Sequence, residues 1–244
     1  MCEPKNRPDD VSQHGAPILV AITDRTLCRE PLPRRVAALV AAGCDAVILR
    51  EKDLPPAAYL DLATQVADAL ARKHLPRSRL ILHGVAGIAA APALDLRLHL
   101  PLAVLRAENP TLCRLPQHLG ASVHSAAEAR EAQELGASYV VAGHIYATAC
   151  KPGAPPRGVA FLQEVVAAVS LPVWAVGGMS LQTASVAINA GARGICVRGT
   201  AMDTPLEELD AWAACLRTEM RRRAPALHAE CTSPCAPCTN GHEV

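Results

Sequence analysis

The residues best placed by type and spacing to do chemistry run from Gly143 to Lys151, Gly-His-Ile-Tyr-Ala-Thr-Ala-Cys-Lys, with Arg157-Gly158 close behind. The apolar run before them, Ser138 to Ala142, has the length and β-branched content of a buried strand. The run ends in Lys151-Pro152-Gly153, which has to be a loop. His144, Thr148 and Lys151 are therefore gathered at the C-terminal end of a strand. An imidazole titrates near neutrality and can both give and take a proton, so His144 is the candidate acid/base. Its structural alternative is a satisfied core histidine, the usual role of a lone His beside an apolar strand.

Other strand ends carry groups suited to an anion. Gly177-Gly178-Met179 follows one apolar run and Arg198-Gly199-Thr200 follows the next. Glycine lets backbone N–H groups approach a phosphate closely, and a helix N-terminus reinforces them. The plainer reading is that these glycines only make tight turns. As a pair after consecutive strands, Gly178, Arg198 and Gly199 are candidate phosphate contacts. Arg50 and Lys52 leave another strand end and favour an anionic substrate. The bland alternative is a rim of salt bridges in which Arg50 pairs with Glu51 or Asp53. His124 is a second candidate, although Ser125 and Glu128 beside it read as a helix capping box. His83 and His99 end two more strands and carry no assigned role.

These groups need a scaffold that brings strand ends together. Apolar runs at 17–23, 44–49, 80–82, 96–100, 119–123, 138–142, 172–176 and 194–197 alternate with stretches of helical period, many stopped by glycine. Residues 102–117 fit neither pattern. Eight strands alternating with helices predict an α/β protein, a (β/α)8 TIM barrel spanning 16–223. Residues 1–15 read as a disordered lead-in, and 224–244, rich in Cys, Pro, Ser and Thr, as a flexible tail. The tail holds His228, Cys231, Cys235, Cys238 and His242, a spacing that matches no structural zinc pattern well.

Composition narrows the partner. With 244 residues, 24 basic against 23 acidic and only 2% aromatic, the chain offers neither a basic surface nor stacking platforms for nucleic acid. No uninterrupted apolar stretch of about 18 residues exists to span a membrane, and the polar N-terminus lacks the apolar core of a signal peptide. A cytoplasmic protein acting on a small molecule is expected, and its oligomeric state is open, a homo-oligomer included.

Several motifs together resemble the thiamine phosphate synthase/TenI superfamily. They are Ile22-Thr23-Asp24, Leu49-Arg50-Glu51-Lys52, Ser122-Val123-His124-Ser125, Gly143-His144-Ile145-Tyr146 through Lys151, and Val176-Gly177-Gly178-Met179. Synthases in this superfamily join a pyrimidine pyrophosphate to a thiazole phosphate with Mg²⁺. They usually carry Asn-Asp after the third strand and an Asp after the fourth. Here those places read His83-Gly84 and Leu98-His99-Leu100-Pro101-Leu102-Ala103-Val104, so both metal-holding acids are absent. The Gly143-His144 pair and the Thr148-Ala149-Cys150-Lys151 ending are similar to the tautomerase (TenI) branch. The resemblance thus implies a thiazole tautomerase, an isomerase that aromatises a carboxylated thiazole phosphate without metal or other cofactor. It makes His144 the acid/base, with Arg50, Ser122, Thr148, Lys151, Gly178, Arg198 and Gly199 around the thiazole phosphate substrate. A Mg²⁺-dependent synthase and a non-catalytic thiazole phosphate binder are the alternatives.

Overall fold

Eight short apolar runs fold as parallel strands: β1 (Ile18–Ile22), β2 (Ala46–Leu49), β3 (Leu80–His83), β4 (Arg97–Pro101), β5 (Leu119–Val123), β6 (Tyr139–Gly143), β7 (Val173–Val176) and β8 (Gly194–Val197). Each pairs with its sequence neighbour, and β1 also pairs with β8, so the sheet closes into a barrel. Val20 lies opposite both Ala46 and Cys196 at the seam. This is the expected (β/α)8 barrel, seen in a computed structural model that describes residues 15–112, 119–148 and 153–222, the side chains at 109–111 excepted. The lead-in up to residue 14 and the Cys-rich tail lie outside the described residues.

The helices are α1 (Leu32–Ala41), α2 (Pro56–Arg72), α3 (Gly84–Leu94), α4 (Leu102–Leu112), α5 (Ala126–Glu134), α6 (Gly158–Ala168), α7 (Leu181–Asn189), α8 (Gly199–Asp203) and α9 (Leu209–Arg221). Two differ from the sequence expectation. The unassigned stretch after β4 begins as α4, and the last helix starts at Leu209, later than expected. A residue before proline is pushed out of the helical region. Thr204, before Pro205, takes ψ 129°, which ends α8 and separates it from α9. The capping signal at α5 is real but shifted. Ser125 Oγ accepts the Glu128 N–H at 3.0 Å, while Glu128 Oε2 accepts from His124 N–H at 2.6 Å, one residue before the cap.

Alternation along the strands makes two apolar layers. Leu19, Ala21, Val47 and Leu49 face outward and are covered by the helices. Ile18, Val20, Ile48, Ile81, Tyr139, Val141, Trp174 and Cys196 fill the barrel interior. Here Tyr139 stacks on Trp174 with ring centroids 3.8 Å apart, and His99 stacks on Tyr139 at 5.6 Å. Cys44 and Cys196 are buried and unpaired, acting as small hydrophobes.

The last described helix, α9, is fastened to β1 and the turn before β2. Asp45 Oδ2 accepts the Leu19 N–H at 2.8 Å and pairs with Arg217 of α9 at 2.7 Å. Arg217 Nε also donates to the Gly43 carbonyl at 3.1 Å. The stacked Tyr139 and Trp174 rings are buried in the barrel interior. Trp174→Ala is expected to lower unfolding free energy by about 3–5 kcal/mol, measured by urea unfolding followed by circular dichroism; a loss below about 1 kcal/mol would mean the stack is not a packed core.

Candidate active site at the barrel mouth

A closed parallel barrel puts all eight strand C-termini on one face, so the predicted site residues share a mouth. At the β1 and β2 ends a buried polar network fixes the geometry. Thr23 Oγ1 donates to Glu51 Oε1 at 2.6 Å and accepts the Arg50 N–H at 2.9 Å. Glu51 is buried, and its carboxylate also takes the Arg25 backbone N–H and the Arg25 guanidinium at 3.0 Å. Arg25 grips Asp53 with its two terminal nitrogens, and this holds the Asp53 carboxyl down at about 2. The rim salt bridge foreseen for Glu51 and Asp53 therefore exists with Arg25. Thr23, Arg25 and Glu51 are positioning residues that the sequence did not single out as such.

Arg198, at the end of β8, places Nη1 3.3 Å from Asp24 Oδ2 across the barrel seam. Its neighbour Gly199 opens the five-residue α8 and is exposed. Gly178 follows β7, the strand next to β8, so the three candidate phosphate residues stand side by side.

The β3–β5 sector is built from imidazoles. His83 and His99 face each other in register with ring centroids 5.8 Å apart. His99 Nε2 and Ser122 Oγ are 2.8 Å apart, so the predicted ligand contact Ser122 is engaged by His99. Tyr59, missed in the sequence because it sits mid-helix, ties two strand ends together: its hydroxyl donates to the Leu49 carbonyl at 2.7 Å and accepts the His83 N–H at 2.8 Å. Burial, with the nearby Arg50 and Lys52 charges adding to it, lowers the His83 pKa to about 3. Burial likewise pushes His99 well below the usual value, with His83 and Arg50 assisting. Both rings are neutral hydrogen-bonding groups. His99 Nδ1 has no hydrogen-bond partner among the described residues.

The β6 and β7 ends meet closely. His144 is buried, and its Nε2 lies 3.3 Å from the Ala154 carbonyl. The loop it opens is pinned at its neck, where Arg157 N–H donates to the His144 carbonyl at 3.1 Å and Gly158 N–H to that of Ile145 at 2.9 Å. A Cβ on Gly177 would stand 2.8 Å from His144 Cα, and one on Gly178 would stand 2.6 Å from Tyr146 Cβ. Both residues have positive φ, +98° and +65°. Packing alone therefore requires glycine at both positions, whatever they bind. His124 Nδ1 sits 2.8 Å from the Gly143 carbonyl, a bridge between β5 and β6, which favours its structural reading. Thr148 is half-buried on the loop; Lys151 lies outside the described residues.

The donor set does not fit a hard divalent ion. Mg²⁺ takes oxygen ligands, carboxylates above all. Asp24, Glu51 and Asp53 are each paired with an arginine, and β3 and β4 offer histidines. Among the described residues no three His, Cys, Asp or Glu side chains gather as a metal site. A cavity of ≈ 180 Å³ lies at the opposite face, lined by Ile18, Trp174, Ile188 and Arg193 among others. It is remote from every strand C-terminus and holds none of the candidate groups.

Comparison with known proteins agrees on the family. The model of the thiamine monophosphate synthase family matches residues 19–201. The thiamine-phosphate synthase of Roseiflexus castenholzii is 32% identical over 204 residues, covering 82% of this chain and 88% of that protein. The thiamine-phosphate synthase of Pyrococcus abyssi is 30% identical, covering 75% of this chain and 86% of its own. Among solved structures, a thiamine phosphate pyrophosphorylase from Pyrococcus furiosus superposes with a TM-score of 0.69 at 26% identity, covering 83% of this chain and 95% of that one.

These relatives correct the expected activity. They carry the name of a synthase, a transferase, so the thiazole tautomerase and the isomerase class do not stand. The physical reason lies in the motif that suggested them. Gly143 is demanded by packing, since a Cβ there would lie 2.7 Å from the Val176 carbonyl oxygen. The Gly143-His144 pair thus reports how closely β6 approaches β7 and does not select a chemistry.

The neutral imidazoles make stability depend on pH. Unfolded, His83 titrates near its usual 6.5, whereas folded it titrates near 3. Between those values only the unfolded chain binds the proton, so stability is whole above about pH 6.5 and is lost as pH falls. The slope is about 1.4 kcal/mol per pH unit for each such histidine. Urea unfolding at pH 7 and pH 5 should show this loss, with a smaller one in His83→Gln; equal losses in the two proteins would contradict it.

Proposed function

Because the chain belongs to the thiamine monophosphate synthase family, we propose that it is a transferase of thiamine biosynthesis, joining a pyrimidine pyrophosphate to a thiazole phosphate. What supports this most is that relatives sharing 30–32% identity over three quarters or more of the chain are thiamine-phosphate synthases by name. The mouth adds a chemical reason. In such a transfer the carbon–oxygen bond to the diphosphate breaks, a carbon–nitrogen bond to the thiazole forms, and the diphosphate leaves with the bonding electron pair. Charge therefore grows on the leaving group, and fixed cations near it stabilise the transition state more than the ground state.

Each candidate residue then takes a role. Arg50, whose backbone is set by Thr23, faces the diphosphate. Gly178, Arg198 and Gly199, beside one another at the β7 and β8 ends, hold the thiazole phosphate. Neutral His99, oriented by Ser122, offers hydrogen bonds to an uncharged heterocycle. Thr148, half-buried just beyond β6, contacts the substrates, and Lys151 is the further cation the reading assigns to them. His144 is a positioning residue: it ties the segment before α6 to β6 through Ala154, and the transfer asks no acid/base of it.

A second reading, a barrel that binds thiazole phosphate without chemistry, is favoured by the absence of metal-holding carboxylates beside His83 and His99. One assay separates the two. Given both substrates and Mg²⁺, the purified chain should form thiamine phosphate and pyrophosphate in equal amounts. Arg50→Gln should lower kcat/KM about 10- to 100-fold, the worth of one charged hydrogen bond. His144→Ala should act mainly through KM. Thiazole phosphate binding with no product would select the second reading.

A further inference from the structure

We infer that the mouth takes the diphosphate group with its own cations and without a divalent metal ion. This rests on the transferase reading for the identity of the ligand, but the observations behind it are independent of that reading. Every carboxylate on the loops leaving the first two strands is already engaged. Asp24 pairs with Arg198 at 3.3 Å, Glu30 with Arg35, Glu51 with Arg25 at 3.0 Å and Thr23 at 2.6 Å, and Asp53 with Arg25. Recruiting Glu30 to a metal would strip the buried Arg35 of its partner and leave an uncompensated buried charge, and recruiting Glu51 would break its buried bond from Thr23 and its pairing with Arg25.

The next two strand ends cannot substitute. His83 and His99 present neutral nitrogen, whereas Mg²⁺ requires near-octahedral oxygen and sheds its water reluctantly. Gly84, after His83, has no side chain to offer, and Val104 on α4 is apolar.

The positive charge that a metal would have supplied is present in side chains. At the β1, β2 and β8 ends Arg25 and Arg198 hold Asp24, Glu51 and Asp53, and Arg50 and Lys52 leave the end of β2. Arg50 and Lys52 lie close enough to His83 to act on its charge, and Arg50 on that of His99 as well. Both cations leave the end of β2, the strand paired with β3, where a metal-holding acid is missing. Glu51 is held by Arg25 and Thr23. The bond electrons that depart with the diphosphate are thus met by guanidinium and ammonium groups.

The test is calorimetric titration of the full chain with inorganic pyrophosphate, in EDTA and in millimolar Mg²⁺, with thiamine phosphate formation assayed in parallel. Binding in EDTA is expected, with affinity equal or weaker in Mg²⁺ because the ion sequesters free pyrophosphate. The doubly substituted R50Q/K52Q chain, its fold checked by circular dichroism, should bind at least about tenfold more weakly. Affinity raised about tenfold or more by Mg²⁺, or no binding of pyrophosphate under either condition, overturns the inference. Product formed only with Mg²⁺ also overturns it while keeping the transferase. Pyrophosphate bound in EDTA with no product under any condition keeps it and removes the transferase.

Discussion

The approach of β6 to β7 constrains the rest of the mouth. Val176 and Gly177 carbonyls accept the N–H groups of Ile145 and Tyr146 at 2.9 and 3.1 Å, so the chain beyond β6 continues to be held against the chain beyond β7 after both strands end. The contact is backbone on backbone, and it tolerates no Cβ at Gly143, Gly177 or Gly178. From it follow the burial of His144 and the place where α6 begins.

Opposite this contact the mouth is organised by charge. Thr23 and Glu51 form a buried pair that the Arg25 backbone N–H and guanidinium complete, and Arg198 closes the seam by reaching Asp24. Acids and bases are therefore not a mixed rim. The carboxylates face arginines that hold them, and the β3–β4 ends have uncharged imidazoles where oxygen ligands would be expected. A buried charge is kept only when it is paired, and neutral histidines are compatible with burial where carboxylates would not be. The column His83–His99–Tyr139–Trp174 then runs from the mouth into the interior as one continuous set of ring contacts.

Much of this was legible in the sequence. Eight apolar runs separated by helical periods specify the barrel because each period has only one way to bury its face. The strand ends therefore announce the mouth, which is why Arg50, His144, Gly178 and Arg198 could be named from spacing. Roles were harder. A glycine required by a neighbouring backbone looks the same in sequence as one required by a phosphate. Glu51, lying between Arg50 and Lys52, is held by Arg25, a residue 26 positions earlier. Tyr59 joins two strand ends from the middle of α2, a contact set by the fold and invisible to local pattern. The activity was misjudged for the same reason: a short motif was weighed as chemistry when its residues answer to packing.

Arg217 and Asp45 are 172 positions apart and meet across the first strands and the last helix. During synthesis at about 5–20 residues per second, roughly 9–34 s separate the emergence of the two. Through that interval the Asp45 carboxylate and the Leu19 N–H have each other but lack the guanidinium that completes the clasp. The open edge of β1 waits as long for β8. The nascent chain is thus a half-wound sheet with one unsealed margin until β8 and α9 are made.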